Sequence, residues 1–214
     1  MGKDNPDASG LVLDALVEAQ GRGFIGPGDL GPHLSHSVGF ESSLAGVRKS
    51  GLNRADRVAD LGSGGGLPGL VLAARFRGVR FTLIEGSTSR ADFLRAAVDR
   101  CGLSDAVEVV DQRAELVGHS PNHRGTYTVV VTRLLGSPPE VAELGAPLLA
   151  VGGHLVVSEP PRRAGAGRWP PDGLATVGLR PASLEPGYAV LEQFSACPEQ
   201  YPRRTGVPRK RPIF

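Results

Sequence analysis

The segment 57–69, RVADLGSGGGLPG, sets Asp60, Gly62, Gly64 and Gly66 two residues apart, directly after an apolar run. Glycines let a backbone turn sharply and let a ligand approach it with no Cβ in the way. A helix start behind such a loop offers free N–H groups to a carboxylate. Asp60, at the strand end, adds a negative charge suited to an ammonium or a sulfonium. S-adenosylmethionine (SAM) carries all three charges on its methionine end, so this pattern suits it, with Ser63 and Leu67 completing the loop. Glu85 closes the next apolar run, RFTLIE, where a carboxylate can accept hydrogen bonds from both ribose hydroxyls; Gly86 and Ser87 follow it. Two alternatives stand beside this reading. Gly64-x-Gly66-x-x-Gly69 also fits a dinucleotide fingerprint, although Asp60 would repel a pyrophosphate. The loop could also be a glycine-rich turn that binds nothing.

Further along, Asp111 opens DQRAEL after a third apolar run, and residues here border the adenine pocket of such sheets. Gln112, Arg113, Ala114 and Glu115 are candidates to read the base edge, against a plain solvated loop. Arg133 follows the fourth run, at the sheet edge where open α/β folds hold their ligands; its alternative is a surface ion pair. From Tyr201 to Phe214 the chain carries Arg203, Arg204, Arg209, Lys210 and Arg211 with no acidic residue. A basic stretch on a body of net charge +2 suggests contact with an anion, although such termini are often only solvated. His33, His36 and His154 show no metal-ligand spacing, and Cys101 and Cys197 form no metal or redox motif. No metal is expected.

These residues need a scaffold that brings strand ends together. Alternation of short apolar runs with helical periodicity from Arg57 onward predicts a parallel sheet with crossover helices. Strands are expected at 57–61, 80–85, 107–110, 126–131, 154–158, 174–179 and 188–194. Helices are expected from Pro68 to Phe76, over 138–149, and behind Ser89-Arg-Ala-Asp92 read as a capping box. The stretch 160–173, rich in Pro, Gly and Arg, reads as loop. Ahead of Arg57 the chain reads as helical and loosely attached, with Leu11, Ala15, Leu16 and Ala19 on one face and a second helix near 33–50. The expected class is α/β: a class I SAM-dependent methyltransferase, Rossmann-like, with seven mostly parallel strands and helices on both faces. Its divisions are a short helical cap over 1–56, the SAM-binding domain over 57–197 and a basic tail over 198–214. At 40% hydrophobic and 21% charged residues the composition is that of a globular protein, and no apolar run approaches a membrane span. The first residues, MGKDNPDASG, lack an apolar signal core, so a cytoplasmic, monomeric enzyme is expected.

DLGSGGGLPG, TLIEGSTSRADFL, VVDQRAEL, APLLAVGGHLVV and YPRRTGVPRKRPI together resemble the bacterial small-subunit rRNA guanine-N7 methyltransferases, first named for glucose-inhibited division protein B. The resemblance spans 57–214, and the tail is its most specific piece. It implies methylation of N7 of a guanosine in the 530 loop of 16S rRNA, on the RNA or the small subunit. It also implies that Gly62, Gly64 and Gly66 cradle SAM, that Glu85 holds the ribose, and that Arg113, Ala114 and Glu115 flank the adenine. Arg133 takes a place near the acceptor, and Arg203, Arg204, Arg209 and Lys210 suit RNA phosphates. Guanine N7 bears a lone pair and no proton, so no acid–base catalyst is expected; orientation carries the reaction. The sequence departs from the family in places. Its N-terminal segment is shortened, His36 replaces an Asp, Thr132-Arg133-Leu134-Leu135 replaces Ser-Arg-Ala, and Ser158-Glu159-Pro160 replaces Lys-Gly at an expected phosphate contact. A paralogue with another RNA or small-molecule acceptor, or a SAM- or RNA-binding protein without turnover, are the alternatives.

Overall fold

The computed structural model describes residues 8–47, 51–160 and 166–214. Two helices come first, α1 (Ala8–Gly21) and α2 (Gly31–Val47). Then strands and helices alternate: β1 (Arg57–Leu61), α3 (Gly69–Arg75), β2 (Arg80–Glu85), α4 (Thr88–Arg100), β3 (Val107–Asp111), α5 (Ala114–Val117), β4 (Tyr127–Thr132), α6 (Pro138–Gly145) and β5 (Leu149–Ser158). The short α7 (Pro171–Ala175), the hairpin of β6 (Leu179–Glu185) and β7 (Tyr188–Gln193), and α8 (Val207–Lys210) complete the chain. The sheet order is β3-β2-β1-β4-β5-β7-β6; β1 to β5 run parallel, and β7 runs antiparallel to both β5 and β6. Strand order reverses between β1 and β4, so their carboxyl ends border a crevice, the usual ligand position in such sheets.

Helices α1 to α4 cover one face of the sheet, around Leu16, Phe40, Leu70, Leu83 and Leu94. The other face, around Leu61, Tyr127, Leu148 and Trp169, is covered by α6, α7 and the tail. Among the described residues no helix is long and apolar enough to cross a membrane.

Several expectations need correction. The N-terminal helices are not loosely attached: Leu16, Ala19 and Phe40 are fully buried, and α1 packs on α3 and α4. The buried face of α1 carries Val12 with Ala15, Leu16 and Ala19, while Leu11 is exposed. The capping box does not form. α4 starts at Thr88 behind Ser87, without a side-chain cap, and Asp92 pairs with Arg95 at 2.6 Å. Residues 174–178 are not strand. Pro171 suits a helix's first turn and α7 forms there; Gly178 (φ +79°) then reverses the chain so that β6 begins at Leu179. The apolar run 174–179 was therefore half helix, while β6 itself is a half-exposed edge strand with little pattern to read. Within the stretch expected as loop, Trp169 is buried beside α7. β5 starts five residues before its expected beginning, at Leu149, where it pairs with Tyr127 across a bulge.

Candidate functional site

The glycine loop joins β1 to α3 at the switch point. Gly62, Gly64 and Gly66 all have positive φ (+78°, +56° and +99°), which side-chain-bearing residues rarely adopt. A Cβ on Gly64 would meet nothing closer than the Gly62 carbonyl at 3.8 Å, so it would stand in the open cleft. Gly65 is different: a Cβ there would lie 2.6 Å from Ile25 and 3.1 Å from Ala19. The N-terminal segment thus braces the back of the loop.

Glu85 faces the loop. Its Oε2 accepts from the Gly64 N–H (2.8 Å) and its Oε1 from the Ser87 N–H (2.9 Å), which fixes the carboxylate while leaving each oxygen a further lone pair. Asp60 lies beneath the loop rather than in the cleft wall. It is fully buried, one oxygen accepts the Gly69 N–H at 2.9 Å, and the other has no partner. Burial pushes its carboxyl up to about 7, against the opposing pull of the Gly69 hydrogen bond and the nearby Ser63 hydroxyl, which itself donates to the Asp60 backbone carbonyl at 2.9 Å. Asp60 therefore ties strand to helix start, and any effect on a ligand's charge passes through the loop.

Three adjoining cavities open along the strand ends. The Glu85 cavity, about 410 Å³, is lined by Glu85, Gly86, Ser87, Arg113, Ala114 and Glu115, with Gly62 at one end and Gly206 and Arg209 at the other. The loop cavity, about 300 Å³, takes in Gly62, Ser63, Gly64 and Leu67 together with Ile25, His33, Arg90 and Arg133. The third cavity, about 640 Å³, lies over the ends of β4 and β5 between Arg133, His33, His36, Glu159 and Trp169. Gly66 stays behind the loop, packed on Leu70.

Arg133 connects the last two cavities. Its Nη2 lies 2.6 Å from His33 Nδ1; because a guanidinium only donates, that ring nitrogen accepts and His33 is neutral here. Burial and the nearby Arg133 charge both hold His33 below the ordinary imidazole range, against a smaller opposing pull from Asp29. His36 is held down by burial, Arg133 and His33, and its ring stacks on Tyr188 at 5.0 Å. Glu159, expected to put an acid in place of a phosphate contact, is buried, with its carboxylate accepting the Trp169 indole N–H (3.2 Å) and ion-paired with Arg168 (2.8 Å).

The expected RNA residues divide. Arg203 is not free for phosphate: its side chain grips Glu143 with Nε–Oε1 at 2.8 Å and Nη2–Oε2 at 2.6 Å, and its backbone N–H donates to the same Oε1. Glu143 is fully buried, so the pair is structural. Arg204 and Lys210 are exposed beside a basic cleft of about 590 Å³ that also includes His119 and Arg211. Arg209 turns toward the Glu85 cavity. Glu115, expected to read the adenine, spends its Oε1 on the Gly206 N–H at 2.9 Å. Arg90, His33 and Leu134 line the cleft and were not assigned to it from the sequence. For Arg90 a signal existed, since it sits in the first turn of the helix that follows Glu85.

A parallel sheet reversed at β1/β4, a glycine loop at the reversal and a braced acid ending β2 define a class I SAM-dependent methyltransferase. Solved structures share the fold: MtNAS bound to S-adenosylmethionine (TM-score 0.57, 14% identity, 89% of this chain and 75% of that one) and cofactor-bound Rv0187 from MTB (TM-score 0.56, 17% identity, 91% and 93%). Residues 40–159 match the family described as rRNA small subunit methyltransferase G, or GidB. The ribosomal RNA small subunit methyltransferase G of Rubrobacter xylanophilus is 40% identical over 175 residues, 76% of this chain and 67% of that one. That of Deinococcus radiodurans is 37% identical over 188 residues, 82% and 73%. The chain belongs to the rRNA small subunit methyltransferase G family.

Proposed function

We propose that this enzyme transfers the methyl group of SAM to N7 of a guanosine in the 530 loop of 16S rRNA, acting as a monomer in the cytoplasm. The observation that carries the acceptor assignment is the chemistry of the third cavity. It adjoins the loop cavity through Arg133 and His33, yet its acid and its His33 imidazole are already engaged, and its second imidazole, His36, is stacked on Tyr188. Glu159 is tied to Arg168 and Trp169, and His33 Nδ1 takes the Arg133 donor. A hydroxyl or amine acceptor asks for a base, whereas guanine N7 offers a bare lone pair.

In this reading the methionine end lies in the loop cavity, the adenosine in the Glu85 cavity and the guanine in the third cavity. The bound cofactor supplies an electrophilic methyl group. Gly62 and Gly64 let it approach the backbone, and Glu85 accepts from the ribose hydroxyls. Arg113 and Ala114 flank the adenine. Arg133, a donor held at the mouth between the cavities, orients the guanine through its O6 carbonyl. No proton moves, so the protein contributes position and exclusion of water. Exposed Arg204, Arg209 and Lys210 take phosphates of the RNA, while Arg203 holds the tail that carries them.

The test is transfer of labelled methyl from SAM to small ribosomal subunits lacking the modification, with the labelled nucleotide mapped. Label at N7 of a 530-loop guanosine is expected. Measured SAM binding with no label on subunits would overturn the assignment in favour of another acceptor or a protein without turnover.

A further inference from the structure

Among the described residues Leu134 alone combines a side chain with positive φ, at +56°. A γ-branched residue is strained there, and such strain persists only where the surroundings impose it. Here they do. Thr132 anchors the end of β4 through its hydroxyl donating to the Leu61 carbonyl at 2.8 Å. Arg133 is held by His33 at 2.6 Å. Leu135 turns inward against Gly62, where a Cβ would lie 2.7 Å from it. With its neighbours fixed inward, Leu134 is turned out, and at 87% it is the most exposed large apolar side chain among the described residues.

Its position is the second observation. Leu134 borders the Glu85 cavity, the loop cavity and the third cavity together, so it stands where donor and acceptor meet. An apolar side chain left in water at that point gains when a flat ring covers it. We propose that Leu134 is a substrate-positioning residue, an apolar face on which the extruded target guanine packs so that its N7 meets the cofactor's methyl group. This rests on the guanine reading above. Base extrusion costs stacking within the RNA, and contacts to the ring faces are the sequence-tolerant way to offset that cost. The backbone strain is then part of the site, because a relaxed conformation would turn the side chain away from it.

The experiment compares wild type, L134G and L134M on small subunits lacking the modification, measuring kcat and KM. S-adenosylhomocysteine binding by calorimetry and Tm are measured alongside. Glycine accepts this backbone conformation without strain, so L134G should keep or raise Tm while kcat/KM falls roughly tenfold, the low end of what covering a leucine side chain is worth. Affinity for S-adenosylhomocysteine should stay unchanged, and L134M, which keeps an apolar side chain, should restore most of the rate. Wild-type kcat/KM in L134G overturns the inference and leaves the guanine reading intact. A matching loss of S-adenosylhomocysteine affinity also overturns it, by making Leu134 a cofactor contact. No label with any of the three proteins overturns both.

Discussion

Helices α1 and α2 close the loop-cavity side of the cleft mainly with apolar packing, whereas the tail closes the Glu85 side with charge and backbone polar groups. On the first side Ala19 and Ile25 press against Gly65, and Leu16 and Phe40 are buried behind them. On the second, Arg203 grips buried Glu143, Gly206 donates to Glu115, and the His119 ring N–H donates to the Pro202 carbonyl at 2.7 Å. Arg124 spreads its guanidinium over the carbonyls of Gly118, Cys197, Pro198 and Tyr201. The helical pair α1–α2 and the tail are therefore both walls of the site. They differ in how they fail: apolar packing loses a volume, a buried ion pair leaves an orphaned charge.

The largest effects should come from buried contacts in the two walls. Arg203→Ala leaves buried Glu143 with only the residue-203 backbone N–H, and removing one partner of a buried pair costs about 3 kcal/mol, the low end because the guanidinium is partly exposed. Urea unfolding should show that loss, while Arg204→Ala, one residue on and exposed, leaves the midpoint unchanged. Equal midpoints for the two variants would mean that the tail is not built in. On the other side Leu16→Ala should cost about 3 kcal/mol through a cavity under the loop, and Leu16→Met should recover most of it. Recovery by Met but not by a charge change would set the two walls apart.

How much of this was legible depended on distance along the chain. The three glycines and Glu85 lie within 24 residues of one another, and their chemistry is local, so loop, strand ends and cofactor could be read, whereas nothing local says that the Asp60 carboxylate turns under the loop to Gly69. Arg203 could not be read correctly, because its partner lies 60 residues away and an arginine among arginines looks like a phosphate contact. β6 was missed because an edge strand with half its residues exposed lacks a period-two pattern, while apolar Leu174 and Val177 imitated one next door. The attachment of α1 and α2 was missed because nothing local says that Gly65 receives Ala19. Leu134 was invisible for a related reason: its φ is set by the inward fixing of Thr132, Arg133 and Leu135.

A smaller effect tests whether the N-terminal wall also tunes the chemistry. His33 must be neutral for Nδ1 to accept from Arg133, and the imidazole is held below its usual range by burial first, then by Arg133, with Asp29 opposing. As pH falls through that lowered value, His33 gains a proton and repels Arg133, and the rate falls. His36 lies alongside on α2, while Tyr188 and Asp60 face Arg133 from β7 and β1. The part of the activity that His33 supports should therefore be lost only below the ordinary imidazole range, whereas Asp60, at about 7, takes up its proton earlier. His33→Ala should lower kcat/KM roughly tenfold at neutral pH, the worth of one hydrogen bond to a charged group. His33→Asn keeps an acceptor without a titration, so it should retain activity and lose that lower acid limb. A lower limb that persists in His33→Asn would assign it elsewhere.

The smallest effect belongs to the outer face of the tail, and it decides whether that face meets RNA at all. Arg204 and Lys210 are exposed at the basic cleft, and the bonds they make within the tail are backbone ones, to Val207 and Gly206, which alanine keeps. Each phosphate contact to a single strand adds roughly −0.7 to the slope of log affinity against log salt. Arg204→Ala with Lys210→Ala should then flatten that slope by about 1.4, with stability and cofactor affinity unchanged. Binding should weaken at low salt and approach wild type at high salt, because the lost contribution is counterion release. A double variant with the wild-type slope would leave those two cations as solvated charges, and the tail would then serve the enzyme through its inner face alone.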